Sequence, residues 1–168
     1  MHKLIIISGT PGTGKSTIAL KLLKYLKKQP KLKQLTINRL DIHDHYKSIS
    51  TKYNRSLKCY DIDLKKFESL IKKEKTKSNI LIVDTHIAHL LPKKLVDIAI
   101  ITTCPNLKKL ETRLKERKYQ KSKIRDNLDS EIFQTCLYEA NEKYNPLILD
   151  TSIRTNTTKF LEQIKNQL

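Results

Sequence analysis

Glycine is nearly absent from this sequence: 168 residues contain three, Gly9, Gly12 and Gly14, and none follows them. That scarcity excludes glycine-rich linkers, and no internal repeat or low-complexity segment beyond lysine enrichment interrupts the chain. Cysteine is scarce as well. Cys59, Cys104 and Cys136 are odd in number, widely spaced and without a C-x-x-C pair, so neither a disulfide framework nor a zinc site is expected. Long apolar runs are missing, and none approaches the roughly 20 residues that span a bilayer. The apolar opening Leu4–Ile7 is too short for a signal sequence. These absences point to an intracellular protein without membrane attachment, cytoplasmic, or nuclear in a eukaryotic host. Acidic residues are in deficit too: 17 Asp and Glu stand against 34 Lys and Arg, a net charge of +17. Such an excess attracts polyanions over long range, which makes nucleic acid or a ribosomal surface an expected neighbour. The lysines are spread over every predicted helix, so a compositional bias toward lysine accounts for the same charge.

What is present reads as one α/β domain spanning 1–168. Lys3–Ser8 is a short, continuous, β-branched apolar run, the pattern of a buried parallel strand. Further strands are predicted at 34–38, 79–84, 95–102 and 146–149. Helices are predicted at 16–28, where Ile18, Leu22 and Leu26 share a face and Pro30 stops the run, and at 63–75, 105–118, 121–143 and 156–167. The polar stretch 41–61 carries a weak helical pattern and receives no assignment. Strands separated by helices mean a five-stranded parallel sheet with helices on both faces.

The three glycines lie in Gly9-Thr10-Pro11-Gly12-Thr13-Gly14-Lys15-Ser16, a full match to the P-loop pattern G-x-x-x-x-G-K-[ST] between a strand and a helix. Glycine permits backbone angles closed to other residues and lets peptide N–H groups approach phosphate. Those groups, with the positive end of the following helix, form an anion nest. Lys15 is expected to reach the β- and γ-phosphates of ATP, and the Ser16 hydroxyl to ligate Mg²⁺.

Two further elements carry chemistry. Asp84 closes the strand Ile82-Val83-Asp84, the Walker-B arrangement, and is expected to position Mg²⁺ directly or through water. His86, two residues on, either orients an attacking group or is structural. Arg113 and Arg117, four apart, share a helix face; they either stabilise charge on a moving phosphoryl group or belong to a solvated charged helix.

Together these pieces resemble the adenylate kinase isoenzyme 6 family, small nucleoside-monophosphate-kinase-like proteins also described as ribosome-assembly ATPases. The residues that carry the likeness are G-T-P-G-T-G-K-S-T at 9–17, I-V-D-T-H at 82–86, and L-K-E-R-K-Y-Q-K-S-K-I-R-D-N at 114–127, followed by E-I-F at 131–133. The resemblance implies an adenylate-kinase-like P-loop NTPase fold with a short acceptor-binding insertion near 38–61 and a short lid near 116–126. It implies ATP contacts at Gly12, Gly14, Lys15, Ser16, Thr17 and Arg117, a metal held by Ser16 and Asp84, and catalytic roles for Lys15, Asp84, His86 and Arg117. The loop Thr151–Asn156 would lie near the adenine. The implied activity is reversible MgATP-dependent phosphorylation of AMP, with ATPase activity linked to maturation of the small ribosomal subunit. The alternative is an ATPase switch that binds rRNA or a ribosomal protein and phosphorylates AMP little. A third class, a kinase for a sugar or a polynucleotide end, shares the P-loop but not the R-x-Y lid stretch. The chain departs from the family at Ile87, Ala88 and His89, and at Leu40 and Asp44, which stand where Gly and Arg are expected. Arg39 and Arg55 are the candidates to replace the lost basic residue.

Overall fold

Five consecutive apolar-to-polar positions set the frame of the molecule: Leu4, Ile5, Ile6 and Ile7 are fully buried, and Ser8 ends the strand beside the glycine turn. The computed structural model describes residues 2–55, 59–153 and 157–168. In chain order its elements are β1 (Lys3–Ser8), α1 (Lys15–Lys27), β2 (Ile37–Leu40), α2 (Tyr46–Ile49), β3 (Ser50–Asn54), β4 (Cys59–Ile62), α3 (Leu64–Lys75), β5 (Ile80–Asp84), β6 (Ile98–Thr103), α4 (Leu107–Glu116), α5 (Lys121–Ile132), α6 (Thr135–Asn141), β7 (Leu147–Asp150) and α7 (Thr157–Lys165). The main sheet is parallel throughout, in the order β2-β5-β1-β6-β7.

Because alternate residues of a strand face opposite ways, β1 supplies two cores. Ile5 and Ile7 join Ile18, Leu22 and Leu26 of α1 and Leu161 and Ile164 of α7 on one face. Leu4 and Ile6 join Phe67 and Ile71 of α3, with Ile42 and Ile49, on the other. A third, smaller cluster holds the α4–α5 corner, where Leu110, Leu114 and Ile124 pack with Tyr119 and Leu128. Among the described residues no helix is long and apolar enough to cross a membrane. The three cysteines are free thiols.

Several boundaries differ from the sequence-based expectation. The second strand begins at Ile37, not Gln34, because register pairs Ile37 with Ile80 of β5. The fourth strand begins at Ile98, since Lys93–Leu95 forms a 3₁₀ turn. The helix expected at 121–143 is two helices. Gln134 adopts φ 50, a left-handed conformation that no α-helix continues through. The unassigned stretch 41–61 contains a two-stranded antiparallel hairpin, β3–β4, which pairs Tyr53 with Tyr60; residues 56–58 lie outside the described residues. Tyr60 meets Tyr53 edge-on at 4.9 Å and stacks on Tyr46 at 5.9 Å between ring centroids. Aromatic packing, not aliphatic periodicity, organises this insertion.

Candidate functional site

The site forms where β1 and β5 end side by side. Ile7 pairs with Asp84, and the Thr85 N–H donates to the Ile7 carbonyl at 3.2 Å, so the glycine turn and the Walker-B carboxylate leave adjacent strands together. Ligands of open α/β sheets bind beyond such carboxyl ends.

The glycine turn is built to expose N–H groups. Gly9, Gly12 and Gly14 all have positive φ, at 138°, 93° and 90°. Carbonyls of the turn are occupied by the protein's own donors. Lys15 Nζ donates to the Gly9 and Thr10 carbonyls at 2.8 and 3.0 Å, Arg113 Nη1 to that of Gly12 at 3.2 Å, and Thr151 Oγ1 to that of Thr13 at 2.8 Å. Thr13 Oγ1 is within 2.7 Å of Thr102 Oγ1, which ties the turn to β6. Helix α1 then starts without a side-chain cap and without an acidic residue in its first turn, whereas Asp63 caps α3 and Asn106 caps α4. The first N–H groups of α1 therefore stay open to an anion.

Lys15 lies in this cradle with its pKa lowered to about 8. Burial is the main cause and Arg117 adds to it, against the opposing pull of Asp84 and Glu131. A bound polyphosphate favours the protonated amine, so nucleotide binding takes up a proton when the pH exceeds that value. ATP affinity is therefore expected to be flat below pH 7.5 and to fall by at most about tenfold per pH unit above 8. Calorimetric titrations from pH 6.5 to 9.5 measure this, and a flat profile through pH 9 would mean that Lys15 does not meet the phosphates.

Asp84 has a side chain only 1% exposed and is gripped by Arg39 at the end of β2: Nε–Oδ1 is 2.5 Å and Nη2–Oδ2 is 2.9 Å. Arg39 Nη1 also lies 3.4 Å from Asp41 Oδ2. Sequence reasoning offered Arg39 as an acceptor-phosphate ligand; here its guanidinium is committed to two carboxylates. Arg55, the other candidate, is exposed on the hairpin. His86 presents surface to solvent, yet its ring lies in a crowded concavity. Desolvation there, with Lys15 the next contribution, lowers its pKa to about 4, so the imidazole is neutral at pH 7.

Beside the turn lies a cavity of about 540 Å³, walled in part by Gly14, Thr17, Lys21, Arg113, Arg117 and Thr151. Its size is that of a small-molecule site. Arg113 bridges its floor, donating also to the Thr151 carbonyl at 2.9 Å. Arg117 ends α4 and is exposed at the cavity wall. Ser16 and Thr17 are exposed on the first turn of α1. The lid expected near 116–126 is the α4–α5 corner, fixed by the third apolar cluster. Of the loop expected near adenine, Thr151 and Ile153 line the cavity; 154–156 lie outside the described residues.

Two supporting groups were not foreseen. Ser8 Oγ lies 2.6 Å from His89 Nδ1, and His89 Nε2 lies 2.7 Å from Glu139 Oε2. The pair Ser8 and His89 is 0% and 2% exposed, so this chain braces the strand end beneath Gly9 from α6. Glu131 likewise accepts from the Cys104 N–H at 2.6 Å. Neither follows a local motif; a histidine three residues past the D-x-H was the sole hint.

The chain matches the AAA domain family over residues 5–134. It is 32% identical over 145 residues to a Schizosaccharomyces pombe protein named adenylate kinase isoenzyme 6 homolog, covering 86% of this chain and 78% of that protein. A Caenorhabditis elegans protein of the same name is 27% identical over 162 residues, 95% of this chain and 83% of the other. Among solved structures, shikimate kinase from Bacteroides thetaiotaomicron superposes with a TM-score of 0.62 over 99% of this chain and 98% of that one. Sequence identity there is 10%, a likeness of fold alone.

Proposed function

Since the chain belongs to the adenylate kinase isoenzyme 6 family, we propose that it moves the γ-phosphoryl group of MgATP reversibly to AMP, giving two ADP. The observation that carries this reading is the phosphate cradle at Gly9–Ser16, with Lys15 inside it and Asp84 beside it on the adjacent strand. The donor and acceptor sides are separate: the 540 Å³ cavity at Arg113, Arg117 and Thr151 suits the ATP base and ribose, and the tyrosine-lined insertion suits the acceptor nucleotide.

Lys15 and Arg117 offset negative charge on the transferred group, and neutral His86 donates its ring N–H to the phosphate of the incoming AMP, orienting the attacking oxygen. A divalent cation would be held by the Ser16 hydroxyl and the Asp84 carboxylate, with phosphate oxygens completing the set. Those hard oxygen donors suit Mg²⁺, which takes one or two protein ligands beside phosphates. When bound, the cation neutralises β- and γ-phosphate charge. Arg117→Ala is expected to lower turnover by about a hundredfold or more, with little change in melting temperature because the side chain is exposed. Unchanged turnover would reduce Arg117 to surface charge.

A second reading is favoured by one observation: the two arginines of the acceptor segment are committed or solvent-facing, Arg39 to Asp84 and Arg55 on the hairpin surface. In it the protein is an ATPase switch that binds rRNA or a small-subunit ribosomal protein through its excess of +17. One assay separates the two. Purified protein is given MgATP with and without AMP, and ADP and inorganic phosphate are followed independently. ADP that requires AMP, without phosphate release, supports the kinase. Phosphate release indifferent to AMP overturns it in favour of the switch.

A further inference from the structure

The fork between Arg39 and Asp84 has a cost for any cation that needs the same carboxylate. Both oxygens of Asp84 are engaged, Oδ1 by Nε at 2.5 Å and Oδ2 by Nη2 at 2.9 Å, a two-pronged grip by a planar donor pair. The side chain of Asp84 is 1% exposed and that of Arg39 16%, so water screens the pair little. Lys15 adds a further positive charge close enough to be felt at Asp84. A divalent ion brought to Asp84 with the fork in place would meet the guanidinium charge at short range and find the carboxylate's charge already offset.

Arg39 also has somewhere to go. Its Nη1 lies 3.4 Å from Asp41 Oδ2, on a carboxylate that is 40% exposed and in turn receives the His43 N–H. The Arg39 backbone is fixed, since β2 pairs Arg39 with Ile82, but the side chain is long and spans two anions of unequal burial. Letting go of Asp84 leaves the guanidinium on Asp41 and in water, not unpaired in the interior.

We propose that Arg39 is a gate on the cation position: it occupies Asp84 in the nucleotide-free protein, and a divalent cation takes that carboxylate only by displacing the fork toward Asp41. This rests on the reading of Asp84 as a metal-holding residue. By linkage, the cation weakens the fork by the factor by which the fork weakens the cation. The gate thus makes the site refuse free metal while it accepts metal delivered on a polyphosphate, whose own oxygens supply the remaining ligands.

The test is direct measurement of Mn²⁺ affinity, by the paramagnetic resonance of free Mn²⁺, for protein saturated with a non-hydrolysable ATP analogue. Removing the fork in Arg39→Ala is expected to tighten Mn²⁺ binding by about tenfold, within the usual range of coupling between sites. Arg39→Lys, which keeps a charge but cannot fork, is expected to show a smaller gain. The gain should vanish when Arg39→Ala is combined with Asp84→Asn. Mn²⁺ affinity unchanged or weaker in Arg39→Ala, with Asp84→Asn still weakening it, overturns the gate and leaves the metal reading intact. Affinity indifferent to Asp84→Asn overturns both. Should Arg39→Ala fail to fold, the unaltered protein carries the same question. The Arg39 Nε–H proton, followed by NMR, is expected to exchange faster with solvent when Mg²⁺ is added to the analogue complex. No change on adding Mg²⁺ overturns the gate.

Discussion

Lys15→Ala is expected to lower turnover by about a hundredfold to a thousandfold while leaving the fold intact. The ammonium is held 2.8 Å from the Gly9 carbonyl and 3.0 Å from that of Thr10, so in the nucleotide-free protein it already lies within the turn. A preorganised charge of this kind, aimed where phosphoryl charge develops, contributes on the order of 3–4 kcal/mol to the transition state. The loss should appear in nucleotide affinity as well as in kcat, although Gly12, Gly14 and the open end of α1 still offer N–H groups. The same coupled assay gives the rates. A thermal melt of the variant checks folding, and removal of a partly desolvated ammonium should not lower it. Turnover within tenfold of the parent would sink the assignment of the turn as the phosphate site.

Gly9→Ala is expected to destabilise the protein by about 3 kcal/mol or more, and Gly14→Ala by much less. A methyl group on Gly9 would meet the Thr102 carbonyl at 2.3 Å, the Thr102 hydroxyl at 2.8 Å and that of Thr13 at 3.0 Å, at a φ of 138°. Two of these atoms are not free to yield. Thr102 lies in β6, and β1 pairs with β6 through Ser8 and Ile101. Its hydroxyl bonds Thr13. Relief requires prising apart the central strands, an overpacking strain added to an unfavourable backbone angle. At Gly14 the nearest contact would be Thr151 Cγ2 at 3.5 Å, so only the strain of φ 90° remains, about 1–2 kcal/mol. Since a domain of this kind is stable by about 5–15 kcal/mol, urea unfolding resolves the two variants clearly. Equal losses at both positions would contradict the packing described for Gly9.

Legibility in the sequence followed the physics of each segment. β1 was readable to the residue because burial on both faces makes an unbroken apolar run that ends at a glycine. α1 was readable because its apolar positions recur at helical spacing and Pro30 cannot continue it. The cradle was readable because positive φ selects glycine, and this chain uses glycine nowhere else. The hairpin at 50–62 was not, since its strands are half-buried and polar and are held by tyrosine contacts that no periodicity reports. Nor was the break at Gln134, a residue with ordinary helix preference that nonetheless adopts the left-handed region. Arg39 was noticed for its charge, but its pairing with Asp84 was not foreseen. Which carboxylate a guanidinium reaches depends on β2 lying next to β5, a fact of strand order and not of neighbouring letters. His89 and Glu139, 50 residues apart in sequence, were hidden for the same reason.

Strand order has one more consequence, for the history of the chain and not its chemistry. Lys3 of β1 pairs with Ile80 and Ile5 with Ile98, so the central strand finds neither neighbour until about half the polypeptide exists. At a synthesis rate of about 5–20 residues per second, the Ile-rich segment 4–7 waits on the order of 4–15 seconds for its first partner. Until then it has only the apolar faces of α1 and α3, with Ile42 and Ile49, to cover it, and the strand edge that later anchors the phosphate turn is open to mispairing. Parallel pairings of such high sequence separation also fold slowly once complete. The +17 charge then has a second use: nascent or refolding copies that carry it repel one another during the interval when their edges are exposed.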